Sequence, residues 1–204
     1  THLMAVVNTR GSAALPTVPT VSSAHGLTWD QVATIVGSST GTRVRVTIFR
    51  CSDGASPSNG TDTIDFGGVT QTACQHAVLA VSGCPTGGNG AAAVQQYGTS
   101  TADDDTASTN HTITLGAAVQ NTGSLVVMAA AHLANEATSG GAGSALHLTQ
   151  NAGAPALGSG ITKEQPSDGS AGATWATSSK HACIAVEILD SEGAVASGSY
   201  RTLH

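Results

Sequence analysis

The feature that most constrains this chain is the stretch over residues 61–83, TDTIDFGGVTQTACQHAVLAVSG. Ile64 and Phe66 alternate with polar residues, Gly67 and Gly68 form a turn signal, and a near-continuous apolar run from Ala73 to Val81 stops at Ser82 and Gly83. Period-two alternation, a glycine turn and a short apolar run predict a strand, a tight turn and a buried core strand. No catalytic or ligand-binding signature accompanies them.

The same pattern recurs along the chain. Residues 3–7 are a short strand candidate, followed by a turn over 8–12. Pro16 and Pro19 restrict the next segment to extended or edge conformations, because neither can donate to a sheet ladder. Further strands are expected over 31–36, 42–51, 91–97, 111–115, 146–149, 172–177 and 181–189. In TRVRVTIFRC, residues 42–51, Val44, Val46 and Ile48 face a core, while Arg43, Arg45, Thr47 and Phe49 face the other way. That second face is expected to be solvated. Residues 124–133, SLVVMAAAHL, have the length and alanine content of a helix, yet Val126, Val127 and the flanking Gly and Ser favour a central strand. Gly-rich loops are expected over 138–144 and 151–160, and the tail beyond Asp190 lacks periodicity.

Ten to twelve short strands with no convincing helix predict an all-β chain, an antiparallel β-sandwich of jelly-roll-like form. Residues 1–190 are expected to form one domain, with 1–20 as an extended arm and 191–204 as a flexible or partner-docking tail. Composition agrees, since 25 glycines and only 10% charged residues suit closely packed strands and turns better than exposed helices. Low charge also leaves a surface that associates easily.

Function classes narrow in the same way. The net charge is −6, and of seven basic residues only Arg43, Arg45 and Arg50 lie close in sequence. Nucleic-acid binding needs more clustered cations than that. No apolar run approaches the ~20 residues of a membrane-spanning helix. Cys51, Cys74, Cys84 and Cys183 match no zinc or redox spacing, and Cys74 and Cys183 sit in apolar runs, so free thiols are expected.

Asp103, Asp104 and Asp105 read as a solvated acidic loop, because the spaced ligands of a calcium loop are absent. His76, His132 and His181 lie on or beside core-like strands and read as hydrogen-bonded structural histidines in preference to converging metal ligands. No nucleophile elbow, zincin motif, P-loop or dinucleotide fingerprint occurs. A glycosidase would need two carboxylates drawn from Asp30, Asp62, Asp65, Glu136 and Glu187, with few aromatics to hold a sugar. Trp29, Trp175 and Tyr97 would be the platform of a carbohydrate-binding module. No catalytic, cofactor-binding or metal-binding residue is assigned from sequence.

The order GLTWDQVA, TRVRVTIFRC, TIDFGGVTQTACQHAVLAVSG, SLVVMAAAH and ATWATSSKHACIAVEIL resembles a β-sandwich module of tailed-phage virion proteins, over most of residues 3–190. The resemblance rests on strand and turn signatures. It implies a non-enzymatic virion component without cofactor, such as a capsid decoration (cement) protein or a tail-associated adhesin. Implied partners are the major capsid protein, other virion proteins and further copies of the chain. The implied location is the outer surface of the particle, after synthesis in the host cytoplasm.

Overall fold

In the computed structural model of the chain the described residues are 2–11, 16–24, 26–52, 61–101, 105–119, 123–141, 143–151, 153, 155–164, 169–190 and 198–201. They form fifteen strands. These are β1 (His2–Gly11), β2 (Thr20–Ser23), β3 (Asp30–Gly37), β4 (Arg43–Ser52), β5 (Asp62–Asp65), β6 (Ala73–Val81), β7 (Val94–Thr99) and β8 (Ser108–Thr114). Then come β9 (Leu125–His132), β10 (Ser139–Gly141), β11 (Ala145–Asn151), β12 (Gly158–Glu164), β13 (Ser170–Ser179), β14 (His181–Ile188) and β15 (Gly198–Arg201). One 3₁₀ turn, Ala91–Ala93, precedes β7.

The strands stack in layers. A front sheet has the order β15-β6-β1-β4-β3 and a central sheet the order β11-β12-β9-β14-β7. A three-stranded back sheet, β10-β13-β8, lies on the far side of the central sheet, and a two-stranded ribbon, β2-β5, covers the front sheet. Neighbouring strands pair antiparallel. The all-β sandwich is as expected; the strand order does not by itself establish a jelly roll.

Three apolar layers hold the stack. Between front and central sheets lie Met4, Val6, Val44, Val46, Ile48, Leu79, Val127, Ile161, Ile184 and Val186 among others. Between central and back sheets lie Ile113, Val126, Met128, Ala173 and Trp175. Under the ribbon, Ala5, Val7 and Phe49 meet Val21, Trp29, Ile64 and Phe66. Burying a Val, Leu or Ile side chain contributes roughly 1.5–3 kcal/mol, so the broad front-to-central layer dominates cohesion.

β9 shows why SLVVMAAAH is a strand. Leu125, Val127 and Ala129 enter the front layer while Val126, Met128 and Ala130 enter the back one, and all eight residues are buried. A strand covered on both faces needs no polar alternation, and its alanines let the flanking sheets approach closely.

Several expectations give way to tertiary context. The turn expected over 8–12 is absent over Asn8–Gly11, which continue β1 between β4 and β6; the arm expected over 1–20 is, for His2–Gly11, an interior strand of the front sheet. The face of β4 expected to be solvated is buried beneath the ribbon and the Pro16 segment, where Arg45 is 6% exposed and Thr47 is fully buried. Ala73–Val81 is half-buried instead of fully so, because β6 lies towards one side of its sheet. The Gly-rich loop over 138–144 contains β10, and part of the loop expected over 151–160 begins β12, a strand without period-two apolar signal. In the tail, Gly198–Arg201 pairs with β6, and its remaining residues beyond Asp190 lie outside the described set.

The Gly67-Gly68 turn is present. Val69 N–H donates to Phe66 O at 3.1 Å, and both glycines take positive φ, 61° and 77°. Residues with a Cβ rarely tolerate two such dihedrals in succession.

Candidate functional site

Polar side chains converge at one end of the layer between central and back sheets. His132 ends β9 and His181 begins β14, and the two are direct cross-strand partners. His111 comes from β8, where alternation with Ile113 and Leu115 turns it toward the same layer. Trp175 comes from β13, where alternation with Ala171 and Ala173 does likewise. The strands thus bring together three histidines that are far apart in the chain.

The contacts within this cluster are specific. His181 Nε2 and His111 Nδ1 lie 2.9 Å apart and share one proton, so the tautomer of one ring fixes that of the other. His132 stacks on Trp175 with centroids 4.8 Å apart and planes inclined by 16°, and its Nε2 meets Thr138 Oγ1 at 3.1 Å. Trp175 also tilts against His181 at 5.2 Å and donates from Nε1 to Ser108 O at 2.7 Å. Glu136, in the connection between β9 and β10, accepts from the Thr177 hydroxyl at 2.9 Å and from the Thr177 main-chain N–H.

His132 is fully buried, and loss of solvation pushes its pKa down to about 4; the Glu136 carboxylate opposes that shift and His181 adds to it. Desolvation wins because an imidazolium there would lose water on every side. At neutral pH the His132 ring is uncharged. Among the described residues no group of three or more His, Cys, Asp or Glu is disposed to hold a metal ion.

A second polar cluster joins the β3–β4 turn to β14. Asp105 accepts from Ser38 Oγ at 2.6 Å, Ser39 Oγ at 2.6 Å, Ser39 N at 3.2 Å and Lys180 Nζ at 2.8 Å. The donated hydrogen bonds, Lys180 first, hold its carboxyl well below the usual carboxylate range. Ser38 is buried with φ 94°, a conformation that side-chain-bearing residues sustain only when surroundings dictate it. Lys180 Nζ also reaches Ser38 Oγ at 3.0 Å, but this is not a nucleophile with its base, because Lys180 is held as the charged partner of the Asp105 carboxylate and the serine is enclosed. Asp105, itself exposed, works as a latch between the β3–β4 turn and Lys180; Asp103 and Asp104 lie outside the described residues.

The other sequence candidates are dispersed. His76 sits on β6, on the ribbon side of the front sheet opposite Val7, away from the other histidines. Trp175 is 5% exposed in the core, Trp29 is half-buried with Nε1 on Asp62 Oδ1 at 3.3 Å, and only Tyr97 is well exposed, so the three do not form a platform. The candidate carboxylates are engaged separately: Asp30 by Asn89, Asp62 by Trp29, Asp65 by the Gly67 N–H, Glu136 by Thr177 and Glu187 by Gln96. All four cysteines are free thiols, buried at Cys51, Cys84 and Cys183 but exposed at Cys74.

Sequence reasoning named His132 and His181 but not His111, Ser38 or Lys180. His111 had a legible signal, its place on the face of Ile113 and Leu115. Ser38 and Lys180 had none, because their meeting depends on how the front and central sheets stack. No protein family, no characterised protein and no solved structure matches this chain.

Proposed function

We propose that this chain is a non-enzymatic structural protein of a phage virion, a capsid decoration protein that stabilises the shell through many weak contacts. The reading rests on the sequence resemblance to tailed-phage β-sandwich modules and on one structural observation. The exposed positions of the two outer layers are hydroxyls and amides with few charges: Asn110, Thr112 and Thr114 on β8, and Thr20, Ser22 and Thr63 on the ribbon. Such faces carry little like-charge repulsion, so many copies can pack on a symmetric lattice and add their contacts by multivalency.

The polar clusters suit the same reading, because the groups with reactive chemistry are engaged in joining the chain's own layers. A carbohydrate-binding role loses its main support with Trp175 in the core.

The test is binding to particles. Purified chain is expected to co-sediment with capsids emptied of decoration and to raise their resistance to heat or chelation, while self-associating in solution. A stable monomer that neither binds emptied capsids nor accompanies particles would sink the proposal.

A further inference from the structure

We infer that Asn89 is a latent modification site: the fold keeps its carboxamide intact, and opening of the connection after β6 lets it convert to aspartate or isoaspartate, which makes the opening irreversible. That connection, CPTGGNG over residues 84–90, ends in the pair Asn89-Gly90. A glycine after asparagine leaves the main-chain nitrogen unobstructed, so this pair closes to a five-membered imide more readily than asparagine followed by a bulkier residue.

The fold demands both residues. Gly90 has φ 82°, and a Cβ on it would stand 2.6 Å from Nδ1 of the buried His2. Asn89 has φ 54°, one of two positive values among the described residues that carry a side chain. Its Nδ2 donates to Thr28 O at 2.7 Å and to Asp30 Oδ2 at 3.0 Å, and its Oδ1 accepts from the Ser52 N–H at 3.2 Å. One carboxamide thus ties the connection to the segment entering β3 and to the end of β4. Aspartate has the same size but, ionised, offers no donor.

In the folded chain ring closure is hindered. Gly90 is buried and its N–H is given to Thr86 O at 3.3 Å, while the carboxamide is held by three bonds to other segments. Once the connection opens, the Gly90 nitrogen gives its proton to solvent base and attacks Asn89 Cγ. The N–Cγ bond forms, the Cγ–Nδ2 bond breaks, and Nδ2 takes up a proton and leaves as ammonia. Water then opens the imide at either carbonyl and leaves a carboxylate.

That carboxylate does not fit the old position. It has no hydrogen for Thr28 O, and it would face the Asp30 carboxylate across what had been a 3.0 Å hydrogen bond, acceptor against acceptor with like charge. The modified chain has therefore lost the joint that held the connection closed.

The test ages the chain at about pH 8 in native buffer and in guanidinium chloride, with conversion followed by peptide mass spectrometry. Asn89 is expected to convert in denaturant and at least about tenfold more slowly in the folded chain, at a rate set by opening of the connection. When the denatured, aged sample is returned to native buffer, the folded fraction should be enriched in intact Asn89 and the unfolded fraction in the converted residue. Asn89→Asp should lower the denaturation midpoint, and Asp30→Asn, which puts a donor opposite the carboxylate, should cost less in that background than in the parent. If Asn89→Asp does not fold, the partition of the aged chain decides the matter. Equal conversion rates in folded and denatured chain, converted residue spread evenly between the two fractions, a folded Asn89→Asp variant with the parent's midpoint, or a mutant cycle without coupling to Asp30 would overturn the inference.

Discussion

Gly158 of β12 faces His132 of β9 so closely that a Cβ on the glycine would stand 2.1 Å from His132 Cε1 and 2.6 Å from Glu136 O. The missing side chain is what admits the buried imidazole. Gly37 makes a comparable approach between layers, where a Cβ would meet His181 O at 1.6 Å.

Overpacking at these glycines should therefore be costly. Gly158→Ala and Gly37→Ala are each expected to lower unfolding free energy by about 1–3 kcal/mol or more, read from urea midpoints. Gly116→Ala, where a Cβ meets nothing within 4 Å, should be close to neutral. Equal midpoints for all three variants would contradict the packing described.

The Asp105 latch predicts a pH dependence of definite sign. Its carboxyl is held below the ordinary 3.8, so the stability it contributes is present above that value and is lost as pH falls below it. Asp105→Asn should be less stable than the parent at pH 7, and the gap should narrow progressively below about pH 4. Parallel denaturation curves from pH 7 to 2 check this, and a gap that does not narrow would refute it.

His2 predicts a loss of the same sign at higher pH. It is fully buried, and burial first, then Arg50, pushes its pKa down to about 4 from 6.5. The neutral ring is favoured in the fold, so stability is complete above pH 6.5 and falls as pH drops toward 4, by up to about 3 kcal/mol. His2→Gln should flatten that part of the pH–stability curve, and an unchanged slope would count against the assignment.

Arg45 is expected to resist replacement by lysine. Its Nε donates to Pro16 O at 2.7 Å and its Nη1 to Thr34 Oγ1 at 2.9 Å from a buried position, a fork that one ammonium cannot copy. Arg45→Lys should cost about 1.5–3 kcal/mol by thermal or chemical unfolding. A change within 0.5 kcal/mol, roughly that of an ordinary surface site, would show the guanidinium to be dispensable.

The thiols should divide three to one. Cys51, Cys84 and Cys183 are buried, and Cys74 is exposed although loss of solvation pushes its thiol up to about 11. A thiol-specific reagent at pH 8 should label Cys74 slowly in the folded chain and all four cysteines in denaturant. Fast labelling of more than one native thiol would exclude this arrangement.

Local pattern determined most of the strands. Alternation placed Val44, Val46 and Ile48 in a core, the paired glycines fixed the turn at 67–68, and Val126 and Val127 marked β9 as a strand. These signals travel through nearest neighbours and side-chain period, which a linear sequence records. Only the tertiary structure decided what covers each face. Arg45 and Thr47 look outward by pattern but lie under a ribbon contributed by residues distant in the chain, and β12 carries no alternation yet pairs with β9 and β11. The histidine cluster belongs to the same class, because the pairing of His132 with His181 and the approach of His111 depend on strand register and layer order, which one strand's composition does not encode.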